Sequence, residues 1–368
     1  MSQKQGRTEP FIVFQNVRKA YDASSLVVRD LSFEIRRGEF MSLLGPSGSG
    51  KTTTLMMLAG FEELSGGSIV LSGRSLVGIP PHRRNIGVVF QNYALFPHMT
   101  VEENVAFPLV QRRMRREEIK GLVRKALDVV GLSSLAGRYP AQLSGGQQQR
   151  IALSRAFIFD PSLVLMDEPL GALDRRIREQ MQMEIKRIHQ RTSATILYVT
   201  HDQAEALAMS DRIAVFNEGR IEQIGSPADI YENPETEFVA GFVGENNLLS
   251  GRVAAREATR VLVDVPGLGT ISVRSSGSAQ VGETLSLAIR PEKLKICAER
   301  SDGFEVHPGH LVERTYRGDH FLCAVELDQT RQLRVKLLVD TAMASDLALG
   351  DRVLVGWRPE DWRAFAGA

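Results

Sequence analysis

Apolar and polar positions alternate over residues 11–17 and 31–35, the two-residue period of half-buried strands. Residues 39–44 read as a third strand that runs straight into a glycine-rich turn. Residues 52–59 follow at helical spacing and stop at Gly60, and 86–90 is an apolar run suited to a buried strand. Between 100 and 160 the pattern changes. Val105, Leu109, Ile119, Val123, Leu127 and Val130 recur largely at helical spacing with Arg, Lys and Glu between them, which predicts a helical insertion. Strand-like runs return at 163–166, 196–199 and 213–216, separated by helical patterns at 174–190 and 202–209. That alternation predicts a largely parallel sheet with helices packed on it. Ser226 and Pro227 open a short helix through Tyr231, with Ser as N-cap and Pro at the first helical position.

From about 245 short alternating runs take over, at 271–274, 284–289, 321–327, 333–338 and 352–357, between Gly, Asp and Pro turns. This spacing predicts a small all-β barrel or sandwich. The expected organisation is two domains, 1–244 and 245–368, with the helical insertion at about 93–160 of the first. The length agrees, because 368 residues exceed the roughly 250–300 at which single cores stop growing.

Composition narrows the class. With 45 Lys+Arg against 44 Asp+Glu and 24% charged residues, the chain is an ordinary globular one, not a disordered segment or a whole surface built for nucleic acid. Cys297 and Cys323 are too few for a disulfide framework and fit a reducing compartment. The polar start Met1–Pro10 has no apolar stretch of the kind a signal peptide needs. No uncharged apolar run reaches the roughly 18 residues that a membrane-spanning helix requires. A soluble chain is expected, whose membrane role, if it has one, comes through a partner.

The chemistry begins at Gly45-Pro46-Ser47-Gly48-Ser49-Gly50-Lys51-Thr52, which fits the phosphate-loop pattern G-x-x-x-x-G-K-[ST]. Its glycines let several N–H groups point inward at an anion, and the following helix adds its positive end. Lys51 supplies a point charge for the β- and γ-phosphates, and the Thr52 hydroxyl can ligate Mg²⁺. The apolar run 163–166 ends in Asp167 and Glu168, two carboxylates at a strand C-terminus, where an α/β sheet binds its ligand. Asp167 is the expected Mg²⁺ partner, and Glu168 is placed to polarise an attacking water. Leu143-Ser144-Gly145-Gly146-Gln147 precedes a helix at 148–159; alone it fits a serine N-cap after a turn, and it also makes a second phosphate-binding helix start.

The order of Tyr21, the phosphate loop, Gln91, Leu143-Ser144-Gly145-Gly146-Gln147, Asp167-Glu168, Ala172-Leu173-Asp174 and His201 resembles the nucleotide-binding subunits of ABC transporters. The resemblance covers residues 11–240, and Phe90-Gln91 followed by Tyr93-Ala94-Leu95-Phe96-Pro97 resembles the importer type. It implies a P-loop NTPase fold, with a RecA-like core sheet and a helical subdomain, that binds ATP and Mg²⁺. It also implies roles. Tyr21 would stack on adenine, and Gly45, Ser47, Gly48, Gly50, Lys51, Thr52 and Thr53 would bind the phosphates. Thr52, Gln91 and Asp167 would serve Mg²⁺; Glu168, His201 and Gln91 would be catalytic, with Gln91 also sensing a permease. Ser144, Gly145, Gly146 and Gln147 would reach the γ-phosphate of a second subunit, and Asp174 would join the two sites. One phosphate loop and one Leu-Ser-Gly-Gly-Gln segment per chain then imply a homodimer. Two transmembrane permease subunits would dock near 91–107, and a periplasmic solute-binding protein would act through them, at the cytoplasmic face of the inner membrane.

Downstream, Gly244-Glu245-Asn246-Asn247, Ile289-Arg290-Pro291-Glu292-Lys293 and Tyr316-Arg317-Gly318-Asp319 resemble the regulatory TOBE β-domain of importer ATPases. Within that set the chain is most similar to spermidine/putrescine import ATPases, while sugar, iron and thiamine import ATPases share the Arg-Pro-Glu pattern. The β-domain would be a regulatory site or an added dimer interface. A soluble ABC ATPase acting on nucleic acid or ribosomes is the remote alternative, with nucleic acid not expected as a partner. His307 and His310 lie close together with nothing nearby to complete a metal site and read as loop residues. The run Arg112-Arg113-Met114-Arg115-Arg116 reads as a solvated helix face.

Overall fold

The computed structural model describes residues 10–22, 25–257, 260–274, 279–297, 303–328, 331–341 and 346–366. The polar start 1–9 lies outside the described residues. The chain forms two compact units, Met1–Ala228 and Asp229–Ala368.

In the first unit the elements run β1 (Pro10–Ala20), β2 (Leu26–Arg36), β3 (Phe40–Leu44), α1 (Lys51–Ala59), β4 (Gly66–Leu71), β5 (Arg74–Ser75) and β6 (Ile86–Val89). Then come α2 (Val101–Gln111), α3 (Arg116–Val129), α4 (Gly145–Phe157), β7 (Leu163–Asp167), α5 (Arg175–Thr192), β8 (Thr195–Thr200), α6 (Gln203–Met209), β9 (Arg212–Asn217) and β10 (Arg220–Gly225). The main sheet has the order β10-β9-β3-β8-β7-β6. Its strands β9, β3, β8, β7 and β6 are parallel, and β10 is added antiparallel through a hairpin.

Every residue of β3, β7 and β8 is buried, as a strand covered on both faces requires. Alternate residues feed different cores. Leu163, Leu165, Leu197 and Val199 pack with α1 and with a separate antiparallel sheet, β2-β1-β4-β5. Val164, Met166, Ile196 and Tyr198 pack on the other face with Ala152, Leu153, Met181 and Ile185 of α4 and α5. The insertion has its own small core, in which Val101, Val105, Val123 and Leu127 meet Ile151 of α4. Helix α4 therefore belongs to two cores, with one face on the main sheet and one on the insertion.

The basic run 112–116 is not a helix face. Residues 112–115 make the turn between α2 and α3 and Arg116 opens α3; Arg113 has a positive φ, 56°, and Arg112 stacks its guanidinium 3.7 Å from the Phe159 ring centre.

The second unit takes in most of α7 (Pro227–Glu232), α8 (Glu237–Phe242) and ten strands. These are β11 (Asn247–Arg256), β12 (Arg260–Val265), β13 (Gly269–Arg274), β14 (Thr284–Ile289), β15 (Lys295–Cys297), β16 (Glu305–Tyr316), β17 (His320–Asp328), β18 (Arg331–Leu338), β19 (Arg352–Trp357) and β20 (Arg363–Ala366). They form two five-stranded antiparallel sheets, β13-β12-β11-β14-β20 and β15-β19-β16-β17-β18, closed over one core that includes Trp357 and Trp362.

The compact units meet at Ala228/Asp229, so residues 229–244 fall in the second. Ala240 of α8 is buried against Ala288 and Phe365, and Arg290 donates to the carbonyls of Tyr231, at 2.7 Å, and Val243. Residues 229–244 are thus held by the β strands that follow them. His307 and His310 are strand residues of β16, not loop residues; His307 lies flat on Trp357 with ring centres 4.6 Å apart, and burial pushes its imidazole pKa down.

Candidate functional site

Strand order builds the site. Because β7 lies between β6 and β8, the segments that leave their C-terminal ends bring Gln91, Asp167, Glu168 and His201 to one edge. Strand β3, the other neighbour of β8, delivers the phosphate loop to the same edge. The loop turns into α1 at Gly50, whose φ of 95° is a left-handed value natural to glycine. A side chain at Gly50 would also meet the Val27 carbonyl oxygen at 2.8 Å, so sterics and backbone angle make the same demand.

Lys51 is buried and folds over the loop, its Nζ donating to the carbonyls of Gly45 at 2.9 Å and Pro46 at 2.7 Å and to Ser49 Oγ at 3.3 Å. Burial pulls its pKa below the ordinary lysine value, opposed by the negative charges of Glu168 and Asp167. The ammonium is therefore bonded to neutral oxygens alone, with the anionic groups Glu168 and Asp167 acting on it through space. Next to it, the Thr52 hydroxyl donates to Asp167 Oδ1 at 2.8 Å. Burial raises the Asp167 pKa; the Thr52 bond and Lys51 pull it down, while Glu168 raises it further.

Glu168 is the most constrained residue of the group. Its φ is 42°, a left-handed value that costs a non-glycine residue about 1 kcal/mol or more. Its N–H is fixed by the Val199 carbonyl at 3.0 Å, and its own carbonyl accepts from Gly171 at 3.2 Å. The carboxylate is then gripped from both sides. Oε2 accepts from Gln91 Nε2 at 3.2 Å, and Oε1 lies 3.2 Å from His201 Nδ1. Gln91 and His201 are exposed, so the groove beside Glu168 is open to a ligand. Ser47 and Gly48 are exposed at the loop tip and Thr53 is half-buried in the first turn of α1. Tyr21 stands at the end of β1 with its ring 60% exposed and the Lys19 ammonium 4.8 Å from the ring centre.

Ser144 to Gln147 lie elsewhere. Ser144 is the N-cap of α4 and closes a capping box, with Gln147 Oε1 accepting from Ser144 N at 2.9 Å and Ser144 Oγ accepting from Gln147 N at 3.4 Å. Among the described residues no hydrogen bond or ion pair joins 144–147 to the phosphate loop. The start of α4 is instead pressed against α5. A Cβ on Gly146 would sit 3.0 Å from Ile177 Cγ2, a contact to which Ile177 would have to yield. Asp174 caps α5 by accepting from Ile177 N at 3.0 Å.

Several polar residues that support the site were not singled out in the sequence. Arg178 donates to Asp202 Oδ2 at 3.0 Å and to the Leu173 carbonyl at 3.1 Å, tying the residue after His201 to the residue before Asp174. Buried Glu205 accepts from Tyr198 OH at 2.7 Å and Thr200 Oγ1 at 2.8 Å, which fixes the end of β8 from which His201 emerges. Burial lifts the pKa values of both Glu205 and Tyr198. The signal available was a buried position in the helical pattern filled by a polar residue, as at Glu205 between the buried Ala206 and the helix start.

A phosphate loop on a parallel sheet, with an Asp-Glu pair at the C-terminal end of β7 two strands away, defines a P-loop nucleoside triphosphatase. Residues 28–171 match the family model of the ABC transporter, and residues 287–365 match that of the TOBE domain. The spermidine/putrescine import ATP-binding protein PotA of Rubrobacter xylanophilus is 51% identical over 93% of this chain and 90% of its own length. The protein of the same name from Acidothermus cellulolyticus is 46% identical over 95% of this chain and 93% of its own. A dimeric ATP-binding cassette solved in a post-hydrolysis state with ADP and Pi superposes with a TM-score of 0.54 at 31% identity, covering 59% of this chain and 98% of that one. The cbiO1 protein of Clostridium perfringens, part of the ABC transporter complex cbiONQ, gives 0.55 at 26% identity over 60% of this chain and 90% of that one. The chain belongs to the ATP-binding subunits of ABC transporters and carries a TOBE domain behind its ATPase unit.

Proposed function

We propose that the chain is the ATP-hydrolysing subunit of an importer for spermidine and putrescine, acting as a homodimer on two permease subunits fed by a periplasmic solute-binding protein. It would work at the cytoplasmic face of the inner membrane; among the described residues no helix is long and apolar enough to cross a membrane. The cargo is supported by the names of the relatives that match over nearly the whole chain. The mechanism rests on one observation above the others. The Glu168 carboxylate is held between Gln91 and His201 beside Lys51, Thr52 and Asp167, while Ser144–Gln147 stay apart from them.

In this reading Lys51 leaves the loop carbonyls for the β- and γ-phosphate oxygens, and the N–H groups of residues 45–53 wrap the phosphates. Tyr21 stacks on the adenine. Glu168 takes the proton of the attacking water as it approaches the γ-phosphorus, with His201 and Gln91 fixing the direction of the carboxylate. The Thr52 hydroxyl, the Asp167 carboxylate and the Gln91 amide oxygen are all oxygen donors and suit a hard cation. Mg²⁺ held there would neutralise charge building on the phosphate oxygens. Ser144 and Gly146 of a second copy supply the donors that the γ-phosphate lacks within one chain, and Asp174 links the two sites. ATP then joins two chains, and hydrolysis removes the shared phosphate and parts them.

The test is uptake by the transporter reconstituted in vesicles. Spermidine and putrescine should stimulate ATP hydrolysis and accumulate inside, and both effects should vanish in Glu168→Gln. Uptake of a sugar, iron or thiamine in their place would overturn the cargo, and salt-sensitive nucleic-acid binding by the purified chain would overturn the importer.

A further inference from the structure

The segment that leaves Gln91 is held in an unusual way. Tyr93 and Ala94 both have left-handed backbones, with φ of 62° and 45°, although neither is glycine. Successive left-handed residues turn their carbonyls to the same side, and here both carbonyls fall on one cation. Arg155, 8% exposed in α4, donates through Nη1 to the Ala94 carbonyl and through Nη2 to the Tyr93 carbonyl, each at 2.8 Å. Its guanidinium also lies 5.5 Å from the centre of the Phe96 ring. Among the described residues no carboxylate pairs with it within salt-bridge distance. A buried cation without a counter-ion is costly, and here the planar fork of arginine gives each of the two carbonyls its own terminal nitrogen.

The far end of the same loop is clamped as well. Asn104 of α2, fully buried, accepts from Phe96 N at 2.8 Å and donates to the carbonyls of Phe96, Met99 and Thr100 at 3.0–3.1 Å. The loop is therefore a rigid part of the insertion, and Arg155 fastens it to α4. The other end of α4 is Ser144.

We propose that Arg155 is a positioning residue that makes the loop after Gln91 and helix α4 one body. A single displacement then sets both how Gln91 meets Glu168 in its own site and how Ser144 meets the γ-phosphate in the partner's site. The inference rests on the composite-site reading given above. Arg155 bonds to backbone carbonyls and to none of the residues assigned to the phosphates. It acts through the carbonyls of Tyr93 and Ala94.

The test compares Arg155→Lys, which keeps the charge but loses the fork, with wild type in the full chain. ATP affinity should stay within about twofold, since the phosphate loop is untouched, while kcat falls about tenfold. In a Glu168→Gln background, Arg155→Lys should raise about tenfold the ATP concentration at which half of the chains trap slowly released ATP. Adding Ala94→Gly, which removes the left-handed cost at one of the two positions, should restore part of the kcat. If Arg155→Lys fails to fold, Asn104→Ser loosens the same loop from its other end and should shift trapping in the same direction. Unchanged trapping and kcat per folded molecule, with only a lower melting temperature, would overturn the proposal. If Glu168→Gln alone traps no ATP, the composite-site reading has failed instead; trapping that is indifferent to both loop variants overturns Arg155 alone.

Discussion

The two segments of the proposed nucleotide site, the sheet edge around Glu168 and the start of α4, are built differently within one unit. Around Glu168 the parts are already assembled, with Gln91 and His201 each 3.2 Å from the carboxylate and Thr52 2.8 Å from Asp167. Around Ser144, among the described residues, the side-chain bonds are those of its own capping box, and Gly146 behind it packs on Ile177 of α5. One is an assembled edge of a buried sheet; the other is the start of a helix shared between two cores. In the proposed reading the difference means that the chemistry is ready in one chain while the last phosphate donors come from a second.

Three substitutions sharpen that division, and a fourth probes what the assembled half costs. The largest effect belongs to Glu168→Gln, which removes the base but keeps the shape: turnover should fall about 10²–10⁴-fold, read as phosphate release, with ATP binding retained. Lys51→Ala strips the charge that meets the phosphates and should weaken ATP binding about ten- to a hundredfold in a direct binding titration. Gly146→Val drives a side chain into Ile177 and should lower turnover about tenfold with ATP affinity of the single chain near wild type; Ile177→Ala should recover part of the loss. An equal loss of affinity in Gly146→Val would erase the distinction between the halves.

The smallest effect concerns stability. The folded pKa of Asp167 is raised, so its titration contributes stability that is full below the ordinary Asp value and is lost as pH rises through the folded value. At neutral pH the ionised Asp167 is therefore a cost to the nucleotide-free fold. Asp167→Asn should raise the melting temperature slightly near pH 7, and the gain should disappear in acid. A lower melting temperature at pH 7 would show that Asp167 is stabilising as it stands.

Much of this was legible in the chain. Strands β3, β7 and β8 are short, mostly apolar and end at or just before the reactive residues, so their pattern and their chemistry coincide. The insertion is visible because Val105, Val123 and Leu127 keep a helical period over their own core. Strands β4 and β10 were not legible, because they are short, with mixed burial and glycines at their ends. The true extent of β16 was hidden by His307, Pro308 and His310, which read as a loop until the pairing with β19 places them on a strand. Arg155 and Asn104 are invisible for another reason: their bonds run to carbonyls, which carry no side-chain signature. Local pattern finds the strands and the reactive groups; long-range bonds to backbone have to be seen.

The most direct test of the split site uses two inactive chains. Lys51→Ala lacks the phosphate charge but keeps Ser144, and Ser144→Arg keeps Lys51 but blocks its own helix start. Each alone should hydrolyse ATP at background rate. Mixed, they should regain hydrolysis, because one of the two sites in each mixed pair then joins an intact Lys51 to an intact Ser144. A mixture no more active than its separate components would contradict the claim that one site takes Lys51 from one chain and Ser144 from the other.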